Sequence, residues 1–230
     1  MNGVTFGTKH SYKDFGLILS SKTISLPKPK IKTVEVPGAD GVIDLTECLT
    51  DDVKYQNRPL SFTFTVIDPI ASWSAVLSEV TNFLHGRKLR IYLDSDKNFY
   101  YEGRCSVNNF KSNKRLATIV IDCDCDPYKV EKNSTSDPWL WDEFSFVDGI
   151  IYTNKVTVSG SATATLINRR KVVSPTFTCS AAMTVTFESV TYSLPVGTTT
   201  VLDIRLQEGE NIVTFKGTGT VQIDYKGGSL

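Results

Sequence analysis

Histidine and net charge are what this 230-residue sequence has least of. Only two histidines occur, His10 and His85, and 25 basic residues balance 25 acidic residues, so the net charge is zero. Because histidine is the side chain that ordinarily titrates near neutral pH, two histidines offer few candidates for a general acid or base. A neutral chain also lacks the positive surface with which proteins hold duplex DNA. The composition therefore argues against an enzyme and against sequence-specific nucleic acid binding.

Long apolar runs and patterned cysteines are missing as well. No stretch approaches the roughly 18 apolar residues of a membrane span, and the N-terminus lacks the apolar core of a signal peptide. We therefore expect a protein made in a cytosol and not inserted in a membrane. The five cysteines are odd in number and show no framework spacing. We interpret them as buried free thiols, without disulfides: Cys48, Cys105, Cys123, Cys125 and Cys179.

Catalytic motifs are absent from the sequence too. It has no GxSxG nucleophile elbow, no phosphate-binding loop and no HExxH pair. His85 follows an apolar periodic segment, where a cation is favoured by a helix dipole without any catalytic role. We predict no catalytic residue, no cofactor and no enzymatic activity.

Two acidic runs superficially resemble the start of a calcium loop. One contains Asp94, Asp96 and Asn98, and the other contains Asp122, Asp124 and Asp126. A calcium loop of this type needs glycine at its sixth position and glutamate at its twelfth. Those positions hold Phe99 and Cys105 in the first run and Pro127 and Asn133 in the second. A solvated strand edge explains the alternating aspartates better.

Cys123 and Cys125 would point the same way on a strand and could hold two corners of a zinc tetrahedron. A structural zinc site needs a second Cys or His pair, and none occurs. Core thiols are the simpler interpretation, and no metal site is predicted.

Most of the chain has the alternating pattern of β-strands. Between Leu116 and Cys125, alternate residues from Ala117 onward are apolar and are predicted to face a core. Near the C-terminus, Val213 and Phe215 precede the sequence Gly217–Gly219, and alternation resumes at Val221. This pattern predicts a hairpin that turns at the two glycines.

One segment has a helical period instead. Asp68 can cap a helix that begins at Pro69 and ends before Gly86, over about residues 69–85. Its apolar residues recur at spacings of three and four: Ile70, Trp73, Leu77, Val80 and Leu84.

Residues 129–137 (KVEKNSTSD) contain a single apolar residue, and we place a linker there between a first domain, 1–128, and a second domain, 138–230. The second domain has fourteen threonines after Val156 and no helical period, which predicts an all-β sandwich.

Trp139 and Trp141 would share one face of a strand. They could form a sugar-stacking platform or a hydrophobic plug between the domains.

Residues 31–64 have strand-like ends and a long middle that contains the turn sequence PGADG. The segment is longer than one small sandwich needs, and it predicts a hairpin arm that reaches a neighbouring subunit.

The run VPGADGVIDLT at 36–46 resembles the signature of distal tail (Dit) proteins of long-tailed siphophages. Further fragments resemble the same family in the same order. They are Tyr55–Arg58, Leu60–Phe64, Asn82–Gly86, Tyr100–Arg104 and Asp126–Tyr128, followed by Tyr192–Pro195, Leu206–Asn211 and Val221–Tyr225.

This resemblance implies a mainly β fold. The first domain would be a ring-forming, β-sandwich-like domain with one α-helix, and the second a galectin-like sandwich. It also assigns six residues to the oligomerisation arm: Pro37, Gly38, Asp40, Gly41, Asp44 and Arg58.

The resemblance further implies a structural protein of the virion. Six copies would form a ring at the distal tip of the tail that passes DNA through its lumen. Its partners would be the major tail tube protein, the tape-measure protein, a tail-associated fibre or lysin protein and, in some phages, a receptor-binding protein. The alternative is a carbohydrate-binding module for host cell-wall sugars, since a galectin-like sandwich with exposed aromatic side chains could bind them.

Overall fold

The computed structural model describes residues 3–67, 69–113, 115–137, 150 and 152–230. The fold is mainly β, and the chain divides into two compact units, Met1–Lys129 and Val130–Leu230. None of the described helices is long and apolar enough to cross a membrane.

The first unit is built on an antiparallel sheet with two helices. Its strands are β1 (Val4–Phe6), β2 (Lys9–His10), β3 (Leu17–Ile24), β4 (Thr33–Val34), β5 (Ile43–Asp44), β6 (Arg58–Val66), β7 (Lys88–Leu93), β8 (Asp96–Ser112) and β9 (Ala117–Cys125), and its helices are α1 (Ser11–Phe15) and α2 (Trp73–Leu84). The main sheet has the order β2-β1-β7-β8-β9-β6-β3. β4 and β5 pair only with each other, outside that sheet.

Strand β9 lies inside the sheet and confirms the predicted alternation. Its core-facing side chains are at most 2% exposed: Ala117, Ile119, Ile121, Cys123 and Cys125. The side chains between them face the other side of the sheet, where Asp122 accepts a hydrogen bond from Ser61 of β6. A sheet with one buried face fixes such a pattern because successive side chains point to opposite faces.

Helix α2 occupies most of the predicted helical segment but begins later. Residues Ile70–Ser72 form a 3₁₀ turn, and the α-helix starts at Trp73. Ile70 is 59% exposed, because the tighter turn rotates it away from the buried face. Val76, rather than Ile70, completes that face, and Gly86 has the predicted left-handed backbone with φ +78°. The predicted cap, Asp68, lies outside the described residues.

The short helix α1 was not predicted, and its cap explains why. The Nδ1 atom of His10 accepts hydrogen bonds from the backbone N–H groups of Tyr12 and Lys13, where Ser, Thr, Asp or Asn is usual. Gly16 ends the helix in the left-handed conformation.

The segment that joins the units is β10 (Lys129–Glu131). The division at Lys129 lies inside the predicted linker, 129–137. Two of the linker residues are buried in the second unit. Glu131 accepts hydrogen bonds from Tyr152, Arg169 and the backbone N–H of Gly227, and Thr135 is hydrogen-bonded to Ile223 and Tyr225.

The second unit contains a six-stranded sheet and a short C-terminal strand. Its strands are β11 (Lys155–Asn168), β12 (Thr176–Cys179), β13 (Met183–Phe187), β14 (Val190–Leu194), β15 (Gly197–Thr200), β16 (Gly209–Asp224) and β17 (Gly228–Ser229). β13 pairs with the first half of β16 and β12 with its second half.

The six-stranded sheet folds over on itself. The rings of Phe177 and Phe215 contact each other with centroids 5.8 Å apart, although Phe177 pairs in register with Ile223. Eight residues of a straight strand would separate positions 215 and 223 by about 26 Å. The two halves of the sheet therefore pack face to face, and the predicted β-sandwich is confirmed.

The predicted hairpin at Gly217–Gly219 is wrong. β16 runs through both glycines without turning and pairs with β11 along its full length. A Cβ atom at Gly217 would lie 2.8 Å from Cβ of Met183, and one at Gly219 would lie 2.7 Å from Oγ of Ser180. These glycines permit a close approach of the chain at 180–183, together with positive φ values, instead of a turn.

Candidate oligomerisation interface

Residues 25–57, which we call the arm, leave the main sheet at the end of β3 and return at the start of β6. The arm is an antiparallel hairpin held by backbone hydrogen bonds between its two limbs. The N–H of Gln56 donates to Lys28 (2.8 Å), that of Lys30 to Lys54 (2.7 Å) and that of Leu45 to Lys32 (2.8 Å). β4 and β5 continue this pairing toward the tip. A hairpin is thus present, but it spans 25–57 and not the predicted 31–64, because residues 58–64 belong to β6 of the main sheet.

The tip of the arm contains four of the predicted oligomerisation residues. Pro37 enters the turn, and Gly38 and Gly41 have φ values of +85° and +76°, which residues with a side chain rarely adopt. No atom lies within 4 Å of a Cβ built at either glycine. Glycine is therefore needed at these positions for its backbone conformation and not to avoid a steric clash. Asp40 is exposed between them.

Asp44, the fifth predicted residue, connects the two limbs. Its carboxylate accepts a hydrogen bond from the backbone N–H of Thr46 (2.8 Å), and the hydroxyl of Thr46 accepts one from the N–H of Lys32 (3.0 Å). Hydrogen bonding from Thr46, through its side chain and its backbone, lowers the pKa of Asp44. The distal half of the arm therefore has a defined shape.

Arg58, the sixth predicted residue, is not on the surface of the arm. Its side chain is buried, with the residue 2% exposed, and its Nε donates to the carbonyl oxygen of Ser25 (3.1 Å). Nη1 donates to the carbonyl of Pro127 (3.3 Å), and the guanidinium lies over the ring of Tyr101. Arg58 positions the base of the arm and does not itself offer a contact to another chain.

Exposed apolar side chains concentrate in the arm. Of sixteen large apolar side chains that are exposed among the described residues, eight belong to it: Leu26, Ile31, Val34, Val36, Val42, Ile43, Leu45 and Leu49. Leu49 is the extreme case, at 96% exposure. Contiguous exposed apolar surface marks interaction sites in soluble proteins. The sequence does not single out these residues, because apolar residues in a strand-like segment are equally typical of a core.

The aspartate motifs and His85 are held by structural contacts. Asp94 is hydrogen-bonded to His10 and to the N–H of Gly3, Asp96 forms an ion pair with Lys129, and Asp126 forms one with Lys88. Nδ1 of His85 accepts from the N–H of Val107. Within the described residues, no group of three or more His, Cys, Asp or Glu side chains is placed to hold a metal ion. Trp139 and Trp141 lie outside the described residues.

Four of the five cysteines are buried as predicted, but Cys48 is exposed in the arm. All five are free thiols. The Sγ atoms of Cys105 and Cys123 face each other at 3.1 Å across β8 and β9. The hydrogen bond to Cys105 and burial raise the pKa of Cys123, and burial raises that of Cys125 to about 12.

An open groove of about 420 Å³ crosses the main sheet of the first unit beside the base of the arm. Ser61, Arg104 and Asp122 line it. These groups bond within the chain: Asp122 accepts from Ser61, and Arg104 donates to the carbonyl oxygen of Gly86. The groove therefore presents polar groups that already have partners.

No protein family and no curated protein matches the sequence. A solved structure does match: the crystal structure of the Dit protein (gp19.1) of phage SPP1, described as a paradigm of the hub adsorption apparatus in phages that infect Gram-positive bacteria. The two chains have the same fold. The TM-score is 0.66, and the match covers 98% of this chain and 99% of the SPP1 chain at 13% sequence identity. The predicted resemblance to Dit proteins is thereby confirmed as a shared fold, and it extends over both units of the chain.

Proposed function

We propose that this chain is a structural subunit of a phage tail tip, in which six copies form a ring that connects the tail tube to the host-adsorption apparatus. The observation that carries this proposal is the Dit fold over nearly the whole chain. The SPP1 protein with this fold is described as part of a hub adsorption apparatus.

The arm supports the assembly part of the proposal. An exposed hairpin with eight exposed apolar side chains would be an aggregation hazard on an isolated subunit. When each subunit places its arm on the next one, the contact is heterologous, and such contacts either close into a ring or continue as an open filament. The family resemblance favours the ring. Every subunit would then both cover a neighbour and be covered by another.

The zero net charge is compatible with a ring whose lumen passes DNA without reading its sequence. A strongly positive wall would hold the phosphates and slow DNA ejection. The ring would contact the tail tube and tape-measure proteins on one side. A fibre, lysin or receptor-binding protein would bind on the other side. The protein would be made in the host cytoplasm and assembled into the virion.

Variants of the arm test the role in assembly. In purified full-length protein, Ile31→Ser together with Leu49→Ser removes two exposed apolar contacts of the arm. We expect this variant to remain folded and monomeric while the unchanged protein forms rings in negative-stain images. The matched control changes Val196 and Leu202, two strongly exposed apolar residues of the second unit, to serine and should still form rings. Rings of normal stability in the arm variant would contradict the proposal.

Carbohydrate binding is the alternative that the sequence left open. Among the described residues of the second unit, no aromatic side chain is fully exposed, and Tyr152 and Tyr192 are half-buried. The test of a sugar platform is therefore directed at Trp139 and Trp141, the pair that the sequence indicates. We expect no signal for the full-length protein on an array of bacterial cell-wall glycans. Binding that Trp139→Ala and Trp141→Ala abolish would favour the alternative.

A further inference from the structure

Two cysteines of the first unit face each other directly across neighbouring strands. Cys105 of β8 pairs in register with Cys123 of β9, although 18 residues separate them in the sequence. Both are buried free thiols, and the thiol of Cys123 donates a hydrogen bond to Sγ of Cys105. The two Sγ atoms lie 3.1 Å apart, about 1 Å more than the roughly 2.05 Å of a disulfide bond. A small movement of the two side chains would therefore bring the sulfur atoms to bonding distance.

The backbone at this position has the spacing that a disulfide requires. The N–H of Cys105 donates to the carbonyl oxygen of Arg87, and the carbonyl oxygen of Cys105 accepts from the N–H of Gly86. Both backbone groups thus point away from β9, so the two cysteines form a non-hydrogen-bonded antiparallel pair. The Cα atoms of such a pair lie about 4.5 Å apart, within the range of about 4.4–6.8 Å that disulfides span. The strands would not have to move for the bond to form.

The other three cysteines are placed differently. Cys125, on the same face of β9, is opposite Gly103 of β8 and Arg58 of β6. Cys179 of β12 is opposite a glycine and a valine, and Cys48 is exposed in the arm. Among the described strand pairs, only Cys105 and Cys123 bring two thiols together. Oxidation within one chain should therefore be specific to this pair.

The open groove beside the base of the arm gives a small oxidant a route to the two thiols. Both cysteines contribute to its lining, and its volume of about 420 Å³ admits a molecule as small as hydrogen peroxide. Each residue is at most 2% exposed, so bulky thiol reagents reach them poorly. The site thus favours a small oxidant over a large one.

We propose that Cys105 and Cys123 form a redox site, which a peroxide oxidises to a disulfide that ties β8 to β9. A thiolate of the pair attacks one oxygen of the peroxide, and the O–O bond breaks to give a sulfenic acid and hydroxide. The facing thiol then attacks the sulfenic sulfur, which forms the S–S bond and releases water. Two thiols and one hydrogen peroxide thus give one disulfide and two water molecules, and two electrons pass from sulfur to oxygen.

The pair suits a protein that moves between two redox environments. Under the proposed function, the subunit is made in a reducing host cytoplasm, and the virion then carries it into an oxidising medium. The hydrogen bond to Cys105 and burial raise the pKa of Cys123, which slows oxidation because the thiolate is the reactive form. The pair would therefore stay reduced during assembly and close slowly after release. This timing rests on the proposed function, whereas the chemistry of the pair does not.

Peroxide treatment of purified full-length protein tests the inference. The Cys48→Ser variant lacks the exposed thiol, so four free thiols remain of the five. We expect excess hydrogen peroxide at pH 8 to reduce the count, measured after denaturation, from four to two, and dithiothreitol to restore four. Mass spectrometry should show the tryptic peptide that begins at Cys105 linked to the peptide 116–129, and fragmentation should place the bond at Cys123.

Matched variants in the Cys48→Ser background separate the two thiols of β9. With Cys125→Ser added, two of three thiols should still be lost on treatment, whereas with Cys123→Ser added all three should remain. Four thiols that survive the treatment, a loss of thiols without a link, or a link to Cys125 or Cys179 would overturn the inference. Failure of the unchanged protein to form rings would instead contradict the proposed function and leave the thiol chemistry unaffected.

Discussion

Nε of Arg58 donates a hydrogen bond to the carbonyl oxygen of Ser25. Ser25 is the first residue of the arm and Arg58 is the first residue after it, so this bond ties the two ends of the arm together. The guanidinium is buried, and its hydrogen bonds go to the carbonyl oxygens of Ser25 and Pro127. A hairpin that projects from a sheet needs such a fixed base, because a mobile base would raise the entropy lost when the arm binds a neighbour.

Replacement of Arg58 should therefore weaken the fold as well as assembly. Arg58→Met leaves two carbonyl oxygens at the base of the arm without their donor, and we expect the free energy of unfolding to fall by about 2–4 kcal/mol. Urea denaturation of the full-length protein measures this loss, which we expect in the unfolding transition of the first unit. Arg115→Met, at an exposed arginine, is the control and should change stability by less than about 0.5 kcal/mol. Equal stability of the two variants would show that the Arg58 contacts are unimportant.

The cysteines should differ sharply in reactivity. Cys48 is exposed, whereas Cys105, Cys123, Cys125 and Cys179 are buried. Burial raises the pKa of Cys125 and Cys179, and reaction requires the thiolate. We expect one fast-reacting thiol per subunit with a chromogenic disulfide reagent at pH 8 when the arm is not covered, and five after denaturation. Cys48→Ser should remove the fast phase. A fast phase that survives this substitution would contradict the structure.

Acid should weaken the first unit partly through Asp94. Burial by itself would raise the pKa of this carboxyl group, but hydrogen bonds from His10 and from the N–H of Gly3 outweigh it, and the pKa is lowered. The ionised form is thus favoured in the folded state. Its contribution to stability is complete above the unfolded pKa of about 3.9 and is lost as the pH falls through the folded pKa.

Asp94→Asn should consequently flatten the acid limb of the stability curve. We expect the variant to be less stable than the unchanged protein at pH 5, and the difference to shrink between pH 5 and pH 2. Thermal unfolding at a series of pH values gives both curves. Parallel curves over this range would show that Asp94 ionisation is not coupled to folding.

Glu131 should be a major stabilising residue of the second unit. Its carboxylate accepts from the hydroxyl of Tyr152, Nε of Arg169 and the N–H of Gly227, and so connects the start of this unit to its C-terminal end. Glu131→Ala would leave a largely buried guanidinium without its carboxylate, which typically costs about 3–5 kcal/mol. Glu210→Ala, at an exposed glutamate, is the control for urea denaturation. A loss no larger than in the control would mean that water replaces the carboxylate.

The same variant tests the boundary between the units. We expect trypsin to cleave the intact protein first within 129–137, after Lys129 or Lys132, and to do so faster when Glu131 is changed. Stable fragments with ends elsewhere would place the boundary outside this segment.

Sequence patterns predicted the elements in which one face is buried and the other is not. The alternation in β9 identified its buried face because a strand with one face in a core has a period of two. The helical period likewise located α2 and its glycine stop. In both cases the apolar residues alone carry the signal.

Residues that serve more than one structural purpose were harder to interpret. Gly217 and Gly219 predicted a turn, yet they sit in a continuous strand where another segment packs closely. His10 caps a helix with an imidazole nitrogen, which no common capping rule covers. Arginine side chains are usually exposed, but that of Arg58 is buried. Two carbonyl oxygens and an aromatic ring take the place of the water molecules that would otherwise surround its guanidinium group.

The arm shows the limit of sequence reasoning most clearly. Its existence as a hairpin was predicted from its length and its turn sequence, but the exposure of Leu26, Ile31 and Leu49 was not. An apolar residue is the same in sequence whether its side chain is covered by its own chain or by another. Only the positions of the atoms show which side chains are left uncovered.

The mass of the assembled protein tests the central claim most directly. Six copies of the 25.5 kDa chain give a particle of about 153 kDa. We expect light scattering of the purified full-length protein, over a series of concentrations, to approach this mass and to stay there without growing further, because a closed ring has no free arm to extend it. A protein that remains at 25.5 kDa at every concentration, even in the presence of the other tail-tip proteins, would contradict the account.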